Sequence, residues 1–179
     1  MWRSKKLLLI GGSGQLGQAL VKRFKKGPSW RQWSIFNIDL EPNPLADNNF
    51  VLDPTETISK ASVEELHKEI KKWDDEVEAI INVAGLNYPP NTPAFKRLHM
   101  KDKGKDAEFV HPLSVASEDC FDWYSKIQQA EFIPTMLTVN LAGEYLAPTG
   151  YVVFTGSKDS LHGKRNQTAL EFVAKSTVA

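Results

Sequence analysis

Cysteine is the scarcest informative residue in this chain of 179 residues, since Cys120 stands alone. A single cysteine excludes an internal disulfide and any metal site built from several cysteines. The histidines are also few and lack the spacing of a metal-ligand set, so surface or loop positions are expected for them. They are His67, His99, His111 and His162.

An excess of charge of one sign is missing, because 22 Lys and Arg residues balance 22 Asp and Glu residues. Without a basic field, no nucleic-acid partner is expected. Long apolar runs are missing too, and none reaches the length that spans a bilayer. The first predicted strand follows almost directly on residues 1–5, which leaves little room for a signal peptide. A cytoplasmic location is therefore expected.

Glycines, by contrast, cluster directly after the apolar run 7–10. Gly11, Gly14 and Gly17 have the spacing Gly-x-x-Gly-x-x-Gly, and a helical pattern follows. A buried strand that turns on glycines into a helix predicts a phosphate-binding loop. Gly11 permits the tight turn, Gly14 lets a pyrophosphate approach the backbone, and Gly17 lets the helix pack close to the strand. The predicted apolar face of the helix consists of Leu16, Ala19, Leu20 and Phe24.

A carboxylate, Asp39, stands at the end of the second predicted strand, 33–38. It lies about 20 residues past the glycine turn, where dinucleotide sites place the acid that binds the adenosine ribose hydroxyls. A carboxylate there repels a 2′-phosphate, which favours NADH over NADPH. Alternatively, Asp39 caps a turn ahead of Pro42 and Pro44.

Strand and helix patterns alternate along the chain, which is typical of a doubly wound α/β fold with a parallel sheet. The crossover and switch-point rules predict the strand order 3-2-1-4-5, with the cleft above strands 1 and 4. The length suits a single domain over residues 1–179. The predicted strands are 7–10, 33–38, 50–52, 79–83 and 151–155, and the later helices are 63–73 with Ser62 as its cap, 117–146 interrupted near Pro134, and 168–179.

The order of these features resembles the short-chain dehydrogenase/reductase superfamily. Within it, residues 10–17 and 37–39 are most similar to the dihydropteridine reductase branch, and residues 43–47 and 81–85 indicate the same branch. The features that match the superfamily are the glycine turn, Asp39, Asp53, the segment Asn82-Val83-Ala84-Gly85 and Lys175.

The resemblance implies a site for NADH, with NADPH the less favoured cofactor. Backbone groups from Gly11 to Gly17, Gln15 among them, and the helix N-terminus would bind the pyrophosphate, with Leu16 packing beneath it. Asp53 matches the position that meets the adenine amino group, although a turn before Pro54 is an equal alternative. Ala84 and Gly85 belong to the segment that passes the nicotinamide ribose.

The resemblance also implies a catalytic tyrosine four residues before a lysine. Lys175 matches the lysine that binds the nicotinamide ribose, but Glu171 stands at the tyrosine position. Glu171 could serve as the acid, or it could simply pair with Lys175 on a helix surface. Ser157 is the best placed residue for the hydroxyl that many members carry after the fifth strand.

Members of the superfamily continue for two more strands, so we expect this domain to be incomplete at its C-terminus. The helices near 120–146 and 168–179 match those that form dimer contacts, which predicts a homodimer or a partner subunit. Their apolar residues would need that partner or remain partly exposed: Phe132, Met136, Leu137, Phe172 and Val173.

Two functions follow as alternatives. The first is an NADH-dependent reductase that acts on a small molecule, a quinonoid dihydropteridine or a similar flat substrate. The second is a catalytically degenerate protein that keeps the fold as an interaction or assembly subunit. The intact glycine turn and Asp39 favour the first, and Glu171 favours the second.

Overall fold

The structure is a computed structural model that describes residues 4–28, 32–53, 59–74, 76–85 and 132–155. The strands and helices given below lie within residues 1–85 and 133–155, which form one unit. The predicted helix 168–179 and most of the predicted helix 117–146 lie outside the described residues. The single domain over residues 1–179 therefore stays a prediction.

The sheet of the described region is parallel throughout, and its strand order is β3-β2-β1-β4-β5. This confirms the predicted doubly wound architecture, with the first strand in the centre and the fifth at an edge of the described sheet. The strands are β1 (Lys6–Ile10), β2 (Ser34–Asp39), β3 (Asn48–Val51), β4 (Val77–Asn82) and β5 (Leu146–Phe154). The bounds of β1 to β4 differ from the predicted ones by one or two residues.

The described helices are α1 (Gln15–Phe24), α2 (Lys60–Trp73) and α3 (Ile133–Tyr145). The prediction that Ser62 caps α2 is wrong, because the helix begins earlier and Ser59 is its N-cap. The Ser59 hydroxyl accepts the backbone N–H of Ser62 at 3.2 Å. That bond satisfies one of the N–H groups that a helix start leaves without a partner in the helix.

The core divides between the two faces of the sheet, because successive strand residues point to opposite sides. One face is covered by α2 and α3, and the other by α1. The buried residues of the first face are Leu8, Ile10, Phe36, Ile38, Leu66, Ile70, Val77, Ile80, Leu137, Leu141 and Tyr145. Those of the second face are Leu7, Leu9, Val21, Ile35, Ala79 and Ile81.

Helix α1 buries only part of the face that its sequence predicts. Leu16 is 52% exposed and Ala19 is also exposed, whereas Gly17 and Val21 are buried. Gly17 contacts the glycine turn, so the line of residues that includes Gly17 and Val21 faces the sheet. The remaining predicted members, Leu20 and Phe24, are partly buried against this face.

The edge strand β5 begins at Leu146, directly after α3, and not at Tyr151 as predicted. Its register with β4 pairs Val77 with Leu146 and then Ala79 with Tyr151, so the intervening residues form a bulge. Pro148 lies in that bulge, where its missing N–H costs the ladder no hydrogen bond.

Leu137 needs no partner chain, contrary to the prediction, because it is 6% exposed and packs in the core. Phe132 and Met136 of the same set are exposed, as predicted. Phe172 and Val173 lie outside the described residues. Within the described part of the chain, no helix is long and apolar enough to cross a membrane.

Candidate functional site

The glycine turn lies at the carboxyl end of β1, between β2 and β4. The N–H of Gly11 donates to the Ile38 carbonyl at 2.9 Å, and the N–H of Val83 donates to the Ile10 carbonyl at 2.9 Å. These bonds attach the turn to both neighbouring strands. Ligands of open α/β sheets bind at this point, where the strand order reverses.

Gly11 is required by both conformation and space. Its φ of +86° lies in the left-handed region that favours glycine. A Cβ at this position would also lie 2.5 Å from the Ala84 nitrogen. Ala84 is held in place by its N–H, which donates to Asn82 Oδ1 at 3.0 Å. The tight turn predicted for Gly11 is thus pressed against the end of β4.

Gly17 brings the start of α1 into contact with the turn itself. A Cβ on Gly17 would lie 2.2 Å from the Gly11 oxygen and 2.4 Å from the Gly12 Cα. The sequence predicted close packing of helix and strand, and the structure places the contact at the turn that ends the strand. Both opposing atoms belong to the backbone, so a side chain here cannot be accommodated by a rotamer change.

Gly14 is different, because the protein itself leaves room for a side chain there. The nearest atom to a Cβ built on Gly14 is the Gly11 oxygen, at an ordinary 3.6 Å. Gly14 is the N-cap of α1 and offers no side-chain hydrogen bond to the helix start. The first residues of the helix are Gln15 and Leu16, and their N–H groups therefore face this space. The positive end of the helix dipole lies at the same place.

Asp39 lies beside the glycine turn. Its Oδ2 accepts the N–H of Ser13 at 2.7 Å, and its Oδ1 accepts the N–H of Leu40 at 2.7 Å. The second bond is the turn cap that the sequence offered as an alternative role. Each carboxylate oxygen retains a lone pair that can accept from a hydroxyl group, so the two roles are compatible.

Asp53 follows β3 on the same side of the site. The N–H of Leu52 donates to the Asp39 carbonyl at 2.8 Å, which places the exposed Asp53 one residue beyond that bond. At the opposite side, Gly85 is exposed after Ala84, and a Cβ built on it would meet nothing within 4 Å. Both residues thus border the end of the sheet at which the glycine turn lies.

Sequence reasoning missed a set of side-chain amides behind the turn, the asparagine cluster of Asn37, Asn43 and Asn49. Asn37 and Asn43 are buried, and Asn43 Nδ2 donates to the Gly12 carbonyl at 2.7 Å. A signal was available for Asn37, which interrupts the apolar run of β2 and, once buried, needs hydrogen-bond partners.

The residues predicted for catalysis, Ser157, Glu171 and Lys175, lie outside the described residues. The last described residue of that region, Thr155, donates its N–H and its hydroxyl to the Asn82 carbonyl, each at 3.1 Å. The described chain thus ends its fifth strand next to the segment that carries Ala84 and Gly85.

His67, expected at a surface or loop position, is a half-buried residue on a helix. It lies on α2, where Nδ1 is 2.7 Å from the Tyr145 hydroxyl and Nε2 is 2.9 Å from Asn140 Oδ1. These contacts join α2 to α3. Among the residues that the structure describes, no group of three or more His, Cys, Asp or Glu side chains could hold a metal ion.

In chemical terms, the site combines a helix N-terminus for an anion with a carboxylate for hydroxyl groups. It also has glycines at Gly11 and Gly17 where a Cβ would collide with the backbone, and open space at Gly14. These features fit a nucleotide with a pyrophosphate and a ribose. The fit comes from the described residues and covers the adenosine side of such a ligand.

A sequence comparison finds a relative in Dictyostelium discoideum, a dihydropteridine reductase that is 36% identical over 85 residues. The matched segment covers 47% of this chain and 35% of the relative, so it spans about a third of that protein. No protein-family model matches the chain.

Solved structures with the same fold include short-chain dehydrogenases. A short-chain dehydrogenase family protein from Francisella tularensis has a TM-score of 0.65 at 15% identity, covering 98% of this chain and 60% of that one. The aldohexose dehydrogenase of Thermoplasma acidophilum has a TM-score of 0.67 at 16% identity, covering 99% and 58%. A short-chain dehydrogenase/reductase from Serratia marcescens gives 0.62 at 13% identity, covering 97% and 66%. The resemblance predicted from sequence is confirmed at the level of the fold.

Proposed function

We propose that this chain, which has the fold of the short-chain dehydrogenases/reductases, binds NADH at the glycine turn and serves as a reductase. The observation that carries the proposal is the Asp39 carboxylate, which accepts the Ser13 N–H at 2.7 Å beside the turn. A carboxylate fixed there can bind the hydroxyls of the adenosine ribose and repels the 2′-phosphate of NADPH. NADH is therefore the preferred cofactor of this proposal.

The pyrophosphate would lie over Gly14, against the N–H groups at the start of α1. Support comes from the open space at Gly14 and from the absence of a side-chain cap at that helix start. Gln15 and Gly17 would contribute backbone N–H groups, and the exposed Leu16 would pack against the bound cofactor. Asp53 would meet the adenine amino group.

At the other end, Ala84, Gly85 and Lys175 would bind the nicotinamide ribose. Bound NADH supplies a hydride from C4 of its nicotinamide ring. We propose a quinonoid dihydropteridine, or a similar flat conjugated small molecule, as the acceptor. The similarity to a dihydropteridine reductase supports this substrate class. The homodimer and the cytoplasmic location expected from the sequence belong to the same proposal.

Proton delivery is the weak part of the proposed enzyme, because Glu171 stands where a tyrosine is expected. General acid catalysis contributes roughly 10²–10⁴-fold, so turnover should be slow even where NADH binds well. Water can protonate an electrophilic quinonoid substrate after hydride transfer, which keeps some activity. In this proposal Ser157 and Glu171 contribute to proton delivery but do not replace the missing tyrosine.

The alternative function is an interaction or assembly subunit that binds the nucleotide without catalysis. A specific observation favours it: Phe132, Met136 and Val139 of the α3 region are 38%, 53% and 55% exposed. These residues are spaced by four and three positions, so they lie on one side of the helix. Such an apolar stripe suits contact with a second copy of the chain.

Titration with NADH and NADPH tests the binding proposal. We expect the wild type to bind NADH more tightly than NADPH. Asp39→Ala should lower the affinity for NADH by about tenfold, as expected for one to two lost hydrogen bonds. The same variant should reduce the difference in affinity between NADH and NADPH. Gly14→Val should abolish binding of both, at a stability cost of about 1 kcal/mol because glycine is favoured over valine at a helix N-cap. Unchanged NADH affinity in both variants would exclude this site.

Turnover separates the reductase from the subunit. NADH oxidation is followed with a quinonoid dihydropteridine for the wild type and for Glu171→Tyr, Glu171→Ala and Lys175→Ala. We expect slow wild-type turnover that rises with Glu171→Tyr. Fast wild-type turnover that survives Glu171→Ala and disappears with Lys175→Ala would contradict impaired catalysis. Complete absence of turnover with intact NADH binding would support the subunit.

A further inference from the structure

We infer that the asparagine cluster is a positioning device for the glycine turn, and that Asn43 is its central residue. The inference rests on the proposed nucleotide function and adds residues that affect nucleotide binding without contacting the nucleotide. Asp39 would contact the nucleotide, whereas the cluster would act on the nucleotide through the turn. The cluster consists of Asn37 on β2, Asn43 in the following loop and Asn49 on β3.

Asn43 fixes the orientation of one peptide of the turn. Its Nδ2 donates to the Gly12 carbonyl at 2.7 Å in a fully buried hydrogen bond. The Gly12 carbonyl and the Ser13 N–H belong to the same trans peptide and point in opposite directions, so the peptide whose carbonyl faces Asn43 presents its N–H to Asp39, at 2.7 Å. One amide therefore sets both the path of the turn and the contact that the turn makes with the proposed ribose carboxylate.

Asn49 in turn fixes Asn43. Its Oδ1 accepts the Asn43 N–H at 2.8 Å, and its Nδ2 donates to the Asn43 carbonyl at 3.1 Å. The Asn43 Oδ1 accepts the Leu45 N–H at 2.9 Å. Asn43 is thus bonded through its backbone and through both ends of its side-chain amide, which leaves its Nδ2 with one orientation toward Gly12.

Asn37 contacts the turn from the strand below. Its Nδ2 donates to Asn49 Oδ1 at 3.0 Å and to Ser13 Oγ at 3.2 Å. Its Oδ1 is buried with no hydrogen-bond partner in the described part of the chain, and a Cβ on Gly12 would lie 2.2 Å from it. A buried acceptor without a partner costs stability, and the space beside this oxygen admits a glycine but no side chain at position 12.

The cluster also connects the turn to the loop that borders the proposed ribose site. The Ser13 hydroxyl, which accepts from Asn37, donates to the Glu41 carbonyl at 2.5 Å. The Ser13 hydroxyl therefore links the turn to the 40–45 loop. A fault in the cluster should displace the whole turn and so weaken every nucleotide that uses it, whatever its 2′ substituent.

The decisive variant is Asn43→Asp, which keeps the acceptor for Leu45 but replaces the donor to Gly12 with an oxygen. We expect it to weaken NADH and NADPH by the same factor, about tenfold for one lost buried hydrogen bond. Asp39→Ala, in contrast, should change the ratio of the two affinities. The matched control is Asn140→Asp, the same substitution at an exposed asparagine on α3, which should leave both affinities unchanged.

A second measurement does not depend on nucleotide. Amide hydrogen exchange at Ser13 should be faster in Asn43→Asp than in the wild type or in Asn140→Asp, in the absence of any cofactor. Asn49→Asp keeps the Oδ1 acceptor and loses only the donor to the Asn43 carbonyl, so it should show the same changes at smaller size. It serves as the test if Asn43→Asp fails to fold.

The outcomes separate the two proposals. A wild-type chain that binds neither NADH nor NADPH overturns the proposed function, and the inference falls with it. A wild-type chain that binds NADH while the variants keep its affinity and the wild-type Ser13 exchange rate overturns the inference alone. Loss of affinity for NADH with an altered preference over NADPH would also overturn it, because the cluster would then act on the ribose and not on the turn.

Discussion

The two faces of the sheet are covered in different ways. On one face, α2 and α3 fill the space with large side chains, such as Ile70 and Leu141, which are fully buried. On the other face, α1 contributes Val21 as its fully buried apolar side chain and comes close through Gly17. The packing of α2 and α3 on the first face thus depends on the volume of buried side chains. The packing of α1 on the second face depends on the close approach of its backbone to the backbone of the glycine turn. This difference brings the α1 start to the glycine turn.

The largest effect is expected from a substitution that breaks the backbone contact between α1 and the glycine turn. Gly17→Ala should lower the free energy of unfolding by about 4 kcal/mol, because the added Cβ meets backbone atoms of the turn that cannot move aside alone. Chemical denaturation followed by circular dichroism measures the loss. The matched control is Gly143→Ala on α3, where a Cβ meets nothing within 4 Å. It should gain about 0.5 kcal/mol from helix propensity; similar effects at both sites would contradict the comparison.

A smaller effect tests the face that depends on volume. Leu141→Ala should cost about 3 kcal/mol, since it removes a fully buried side chain and leaves a cavity. The same denaturation experiment applies, with Val139→Ala as control, because Val139 on the same helix is 55% exposed. A loss at Val139 as large as that at Leu141 would mean that the exposed side of α3 is covered in solution.

The smallest effect concerns the start of α2. Ser59→Ala should cost about 1 kcal/mol, because it removes the acceptor for the Ser62 N–H. Ser62→Ala keeps that N–H and should cost only a few tenths of a kcal/mol. The midpoints of thermal unfolding of the two variants show which serine caps the helix. A larger loss of stability in Ser62→Ala than in Ser59→Ala would support Ser62 as the cap, as predicted from the sequence.

The features that could be predicted from sequence are those with a local signature. The strand order follows from alternation of strands and helices, and the glycine turn with Asp39 follows from spacing. The misplaced cap of α2 is a local error of three residues, whereas the failures at α1 and β5 come from contacts between distant residues. The buried face of α1 is set by the contact of Gly17 with the turn, and the true start of β5 by pairing with Val77 across a bulge.

The asparagine cluster shows the same limit at the candidate site. Asn43 stands between two prolines, and this pattern indicates a surface turn. Its bond to Gly12 joins residues 31 positions apart and has no local signature. Residues of this kind, which act on a site from behind, are found only once the fold places them.

The central position of β1 has a consequence for synthesis of the chain. Its register pairs Lys6 with Ser34 on one side and Leu7 with Ala79 on the other. Among the described strands β1 is made first, and it must therefore keep one edge unpaired until β4 has been made. An apolar strand with an open edge is prone to pair with other chains. The nascent chain should thus be most dependent on chaperones before residue 82 emerges.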